Sequence, residues 1–194
     1  NRRALKTARE ARVRVMVATG RIVPECRTIL ERIDYAGPLV VASGAAMVDW
    51  PTGRTVRSDP MPFGDVEAVV DIMSHYQCTS VILKDGHQAG YDYLLIDDIH
   101  LHPISRWWFE RHGMEPRTFP STTIDPHPHA TLRAACLGTP ARMAEAAATL
   151  QADLGDRINS RHWPAVGPEG VVVHMLEVFG PVVDKWTMVE RFCQ

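Results

Sequence analysis

The run Val13–Arg21, reading VRVMVATGR, constrains what this chain can fold into more than any other stretch. Val13, Val15, Met16, Val17 and Ala18 make a nearly unbroken apolar segment rich in β-branched residues. That pattern suits a strand buried on both faces of a helix-covered parallel sheet. The run ends in Thr19-Gly20-Arg21: a hydroxyl, a residue without a side chain, and a guanidinium. Open α/β sheets take their ligands at the carboxyl ends of their strands. A hydroxyl, an approachable backbone N–H and a fixed positive charge are what a phosphate oxygen needs there. The same residues equally fit a plain strand-to-loop turn in which Thr19 caps its neighbours.

The flanks extend the strand into a βαβ unit. Residues 2–11 carry Ala4, Leu5, Ala8 and Ala11 at helical spacing among charged residues. Pro24 and Glu25 suit the first turn of a second helix, with Cys26, Ile29, Leu30 and Ile33 as its expected buried stripe. A second apolar run, Leu39–Ala42, ends in Ser43-Gly44-Ala45-Ala46. Two parallel strands joined by a helix finish on the same sheet edge, so Ser43-Gly44 is expected near Thr19-Gly20. Met47-Val48-Asp49 and Thr55-Val56-Arg57 then read as a hairpin around Trp50–Arg54.

After Asp59-Pro60-Met61-Pro62 the texture changes. Val66, Val69, Val70 and Met73 recur at i, i+3, i+4, i+7 and predict a helix over 65–77. Strands are expected at Ser80–Leu83, Tyr91–Ile96, Thr131–Leu137, Arg157–Trp163 and Val171–Val178, and helices at Leu101–His112 and 140–154. The second of these helices has Thr139 as N-cap and Pro140 in its first turn. Four prolines mark 114–129 as loop. The reading is therefore an α/β core over 1–60, an inserted α+β module over 61–178, and a return to the core over 179–194.

In that last stretch Asp184 suits an N-cap, with Val189 and Phe192 expected on the apolar face of the helix it opens. Lys185 then sits in the first turn. A cation there is mildly unfavourable, by about 0.3–1 kcal/mol, yet helix N-termini collect anions and a lysine can close over a bound phosphate. A solvated lysine whose stem covers the helix end is the alternative.

The formal charge of −2 argues against a nucleic-acid or polybasic membrane-surface partner. No apolar run approaches the roughly 20 residues that span a bilayer. Cys26, Cys78, Cys136 and Cys193 form no C-x-x-C pair and read as reduced, mostly structural thiols of a cytoplasmic protein. His100-x-His102 and His127-x-His129, with His112 and His162, raise zinc as an idea, but structural or surface histidines are the simpler reading. Trp107-Trp108-Phe109 reads as core, Lys84-Asp85-Gly86-His87 as a turn between strands, and Asp97-Asp98 as a solvated helix start.

Three segments together resemble the haloacid dehalogenase (HAD) superfamily, and within it the Cof-type, sugar-phosphatase-like branch. VMVATGR, residues 15–21, is similar to that branch's second motif; VASGAAMVDWPTG, residues 41–53, to its Asn-Gly-Ala segment and hairpin; LEVFGPVVDKWTMV, residues 176–189, to its third-motif region. The resemblance implies a partial Rossmann-like parallel-sheet core carrying an inserted α+β cap. It implies that Thr19 binds the transferring phosphoryl group, that Gly20 lets the backbone approach it, and that Arg21 orients substrate or cap. Lys185 would neutralise phosphate and nucleophile, with Ser43 and Gly44 lying beside the site.

The implied activity is Mg²⁺-dependent hydrolysis of a small phosphorylated metabolite, a sugar phosphate above all, through an aspartyl-phosphate. Its Asp-x-Asp first motif would precede Asn1 and its acidic fourth motif would follow Gln194, so no metal ligand is expected within the chain. Ser43 in place of asparagine, Val182 in place of a glycine and Trp186 in place of another depart from the pattern. Trp186 and Val182 favour the alternative, a HAD-like binding or regulatory protein without catalysis. Oligomeric state is not legible.

Overall fold

The computed structural model describes residues 2–194 and falls into two compact units. The first combines the chain up to Asp59 with Val183–Gln194; the second is Pro60–Val182.

The first unit opens with α1 (Arg2–Glu10), β1 (Val17–Ala18), α2 (Val23–Arg32) and β2 (Gly37–Val41), followed by the hairpin β3 (Ala46–Trp50) and β4 (Arg54–Ser58). Its sheet runs β1-β2-β3-β4, parallel between β1 and β2 and antiparallel thereafter. The strand expected over 13–18 is only two residues long, lies at the sheet edge, and leaves Val13 exposed. The reason lies in β2. Val17 and Ala18 pair with Leu39 and Val40, but the preceding residue is Pro38, which has no N–H to continue the ladder. The hydroxyl of Tyr35 occupies that gap. It lies 3.3 Å from the Val17 N–H, 3.2 Å from the Val15 carbonyl, and within bonding reach of the Pro38 carbonyl.

Helix α2 buries Cys26 and Leu30, whereas Ile29, expected in the same stripe, is 52% exposed. The buried positions follow an i, i+4 row that begins at Ile22, and Ile29 falls outside it. The closing helix, α7 (Lys185–Cys193), packs through Met188 onto Val40 and Met47, with Met16 and Val189 alongside. Phe192, expected on that face, lies in the last turn and is 43% exposed. An ion pair between Arg191 and Asp59 ties α7 to the chain after β4.

The second unit holds α3 (Phe63–His75), β5 (Ser80–Lys84), the single turn α4 (Gly86–Ala89), β6 (Tyr93–Ile96), α5 (Pro103–His112), β7 (Arg117–Phe119), β8 (Thr131–Gly138), α6 (Pro140–Leu154), β9 (Asn159–Val166) and β10 (Val172–Phe179). Its six strands run β7-β6-β5-β8-β10-β9, antiparallel except for the β6–β7 pair. The Val66, Val69, Val70, Met73 stripe of α3 is buried, as is the Met143, Ala146, Leu150, Leu154 row of α6. Both rows join Ile82, Leu94, Ala134, Leu176 and Val178 in one core. Thr139 caps α6 by accepting from the Arg142 N–H at 3.3 Å.

Strand β7 lies inside the segment read as loop; Pro116 and Pro120 bracket three residues whose backbone groups pair with β6. Pro164 sits within β9, which as an edge strand tolerates a missing N–H. Phe109 is buried and Trp108 half-buried, and both meet the ring of Tyr93 edge-on. No helix among the described residues is long and apolar enough to cross a membrane.

Candidate anion site

The Thr-Gly-Arg turn is held to the end of β2 by three backbone hydrogen bonds. The Thr19 N–H donates to the Val40 carbonyl at 2.9 Å, the Ala42 N–H to Arg21 at 2.9 Å, and the Ser43 N–H back to Thr19 at 3.1 Å. Glu25 secures the far side of the turn, accepting from the Ile22 N–H at 2.8 Å. Thr19 does behave as a local cap, since its hydroxyl oxygen accepts from the Arg21 N–H at 3.2 Å. That bond uses a lone pair and leaves the hydroxyl hydrogen for another acceptor. Gly20 lies so close that a Cβ on it would stand 3.2 Å from the Ser43 Oγ.

The Ser43-Gly44 segment makes the link to the chain's other end. Ala42, Ser43 and Gly44 all adopt positive φ, at 49°, 59° and 106°. Such angles cost a residue with a Cβ about 1–2 kcal/mol. They turn the backbone sharply after β2 and press Gly44 against the start of α7. A Cβ on Gly44 would stand 2.4 Å from the Asp184 carbonyl and 2.6 Å from the Lys185 nitrogen. Only glycine allows that approach. Thr19-Gly20, Ser43-Gly44 and Asp184-Lys185 are therefore consecutive links of one backbone contact chain, although more than 160 residues separate its ends.

Asp184 caps α7 through Oδ1, accepting from the Trp186 N–H at 2.8 Å and the Thr187 N–H at 3.4 Å. Two of the helix's N-terminal donors are thus already taken, so positive charge at this corner comes mainly from the exposed Lys185 side chain. Trp186 is 66% exposed, and its indole lies along α7, donating to Glu190 at 2.7 Å. Arg21 is exposed as well. Its charge reaches Cys26, where it opposes the burial and the Glu25 carboxylate that raise that thiol to about 11. A hydroxyl, an approachable glycine backbone, a guanidinium and an ammonium are the kinds of group that bind anions of phosphate size.

The residue pattern alone did not reveal the run of positive φ angles at 42–44. Its one signal was Ser-Gly directly after an apolar strand. Among the described residues no group of three or more His, Cys, Asp or Glu side chains could hold a metal ion.

Comparison of the whole chain with known families gives its class. The chain belongs to the haloacid dehalogenase-like hydrolase family, whose model matches residues 1–194. Its fold is similar to a haloacid dehalogenase-like hydrolase from Bacteroides thetaiotaomicron, with TM-score 0.73 and 14% identity over 98% of this chain and 67% of that one. TM0651 from Thermotoga maritima matches with TM-score 0.70 and 15% identity, over 98% of this chain and 65% of its own. The HAD subclass IIB sugar phosphatase BT4131 matches with TM-score 0.65 and 12% identity, over 98% and 65%. The chain thus spans about two thirds of the length of these structures. No curated protein matches it at a significant level.

Proposed function

We propose that this chain supplies the phosphate-binding part of a Mg²⁺-dependent phosphatase acting on a small phosphorylated metabolite, with sugar phosphates as the first class to test. The approach of Thr19-Gly20, Ser43-Gly44 and Lys185 to one another within the first unit carries the reading. In it, the Thr19 hydroxyl donates to a non-bridging oxygen of the transferring group. Gly20 allows the oxygen to approach the backbone, and Arg21 orients the substrate or the second unit. The Lys185 ammonium lowers the repulsion between the phosphate and an attacking carboxylate. Such preorganised donors act most strongly where charge develops in the transition state.

The nucleophile in this reading is an aspartate outside residues 1–194. Phosphoryl transfer to it gives an aspartyl-phosphate that water then hydrolyses. Mg²⁺, a hard cation that members of this superfamily generally use, would screen the two anions and take oxygen ligands from outside these residues. The second unit would act as a cap that excludes bulk water. The family assignment and the similarity to a sugar phosphatase support the substrate class.

A panel of phosphate monoesters, offered with Mg²⁺ to the protein that carries this chain, tests the reading. Release of inorganic phosphate from one group of esters is the expected result. Binding without release across the panel would favour the non-catalytic alternative, to which the exposed Trp186 and Val182 point.

A further inference from the structure

Two imidazoles meet wholly within the second unit. The register of β9 with β10 sets His162 opposite Leu176 and His174 opposite Pro164. His162 and His174 are therefore diagonal neighbours on one face of the antiparallel pair, a spacing that long and aromatic side chains bridge. Their ring centroids are 4.7 Å apart, and His174 Nδ1 lies 2.7 Å from His162 Nε2. His162, on the edge strand, is exposed, and His174 is half-buried beside it. The His-x-His spacings in the sequence do not produce this arrangement. His102 commits its Nδ1 to the Ile104 N–H as a helix cap, whereas His162 finds its partner across strands.

Imidazole is the commonest protein ligand for transition metals, and two held on one strand ladder can chelate a single ion. We propose that His162 Nε2 and His174 Nδ1 bind a divalent transition metal of square-planar or tetragonal preference, Cu²⁺ first and Ni²⁺ behind it. The distance carries the choice of metal. With metal–nitrogen bonds of about 2.0–2.1 Å, nitrogens 2.7 Å apart subtend about 80–85° at the ion. That is close to the right angle between adjacent ligands of a tetragonal site. Tetrahedral Zn²⁺ instead needs nitrogens roughly 3.3–3.4 Å apart. For the same nitrogen donors Cu²⁺ also binds more tightly than Ni²⁺ or Zn²⁺. Among the described residues no third His, Cys, Asp or Glu joins the pair, so the remaining positions fall to water at the exposed edge of the sheet.

The protons balance without any redox change. In the metal-free pair one ring donates its N–H to the other. The ion takes that proton's place, and the proton moves through water to the far nitrogen of the donor ring. Both facing nitrogens then present lone pairs, and both imidazoles stay neutral. Neither residue belongs to the anion site.

Substoichiometric Cu²⁺ added to the chain at neutral pH tests the assignment by NMR and electron paramagnetic resonance. The imidazole resonances of His162 and His174 should broaden before those of any other histidine, and the copper signal should be that of a tetragonal ion with two nitrogen donors. His162→Gln and His174→Gln should each weaken binding of the first equivalent by roughly 10²-fold, the loss expected when two tethered ligands become one. An equal amount of Zn²⁺ should leave the copper in place. Broadening that begins at His100, His102 or any other histidine would overturn the proposal. So would an affinity that either substitution leaves unchanged, or displacement of the copper by equimolar Zn²⁺. The order of broadening in the wild-type chain decides the matter even if a variant folds poorly.

Discussion

At the scale of single residues, the proposed anion site turns on one side chain and one missing side chain. Lys185 is exposed and makes no structural ion pair among the described residues, so its loss should leave the fold intact. Lys185→Ala in the active protein should lower turnover by roughly 10²–10³-fold if the ammonium stabilises the transferring group. Unchanged kcat for released phosphate would remove it from the mechanism. Gly44 bears on folding instead. Alanine there meets both a positive φ and the Asp184 carbonyl, and the backbone strain alone costs about 1–3 kcal/mol. Gly44→Ala should lower the urea midpoint sharply. Ser43→Asn should raise it, because asparagine tolerates the left-handed region better than serine. The sequence pointed to Ser43-Gly44 as a neighbour of Thr19-Gly20, and the backbone contacts bear that out. It did not show the strained angles, because φ depends on what the turn must avoid, here the start of α7.

At the scale of elements, the features hardest to read were polar groups that turned out to be buried. Lys84, read as part of a turn, is fully buried at the end of β5. Its ammonium bonds Asp125, the His127 carbonyl at 3.1 Å and the Thr131 hydroxyl at 2.7 Å, so all three protons are used. Burial lowers its pKa, and the bond and charge of Asp125 oppose that shift. Asp125 in turn accepts from Tyr91 at 3.2 Å and from the His127 N–H at 3.0 Å. The proline-rich segment is thereby fastened to the sheet, something no local pattern in a loop announces. Lys84→Met should cost about 3–5 kcal/mol by leaving the carboxylate uncompensated, and adding Asp125→Leu should recover part of it. Additive losses in urea unfolding would contradict the coupling.

Helix α5 gives a pH test. His102 caps it, its Nδ1 accepting from the Ile104 N–H at 3.2 Å, and burial lowers its pKa below the ordinary 6.5. Above 6.5 the ring is neutral folded or unfolded and the cap is intact. Below 6.5 the unfolded chain takes the proton first, so stability should fall with pH until the lower folded value is passed. His102→Asn, a cap that does not titrate, should flatten that part of the stability profile; an unchanged slope would exclude His102 as its source.

At the scale of the whole molecule, the regular elements were the most legible because their spacing is set by burial. The α3 stripe, the α6 helix and the β5, β8 and β10 runs appear where their spacing places them. The first sheet was less so. It contains the parallel pair and the hairpin that the spacing predicts, but its first strand is two residues long instead of six, because Pro38 ends the β1 ladder. The long-range meeting of residues 19, 44 and 185 was legible only through the family resemblance, since nothing local to Lys185 names its neighbours.

The most direct test of that meeting is an amide NMR titration of the chain with inorganic phosphate. The account predicts that the resonances of Thr19, Gly20, Gly44 and Lys185 move together along one saturable curve, and that Lys185→Ala weakens it. Shifts confined to scattered arginines, or separate curves for the two ends of the chain, would contradict it.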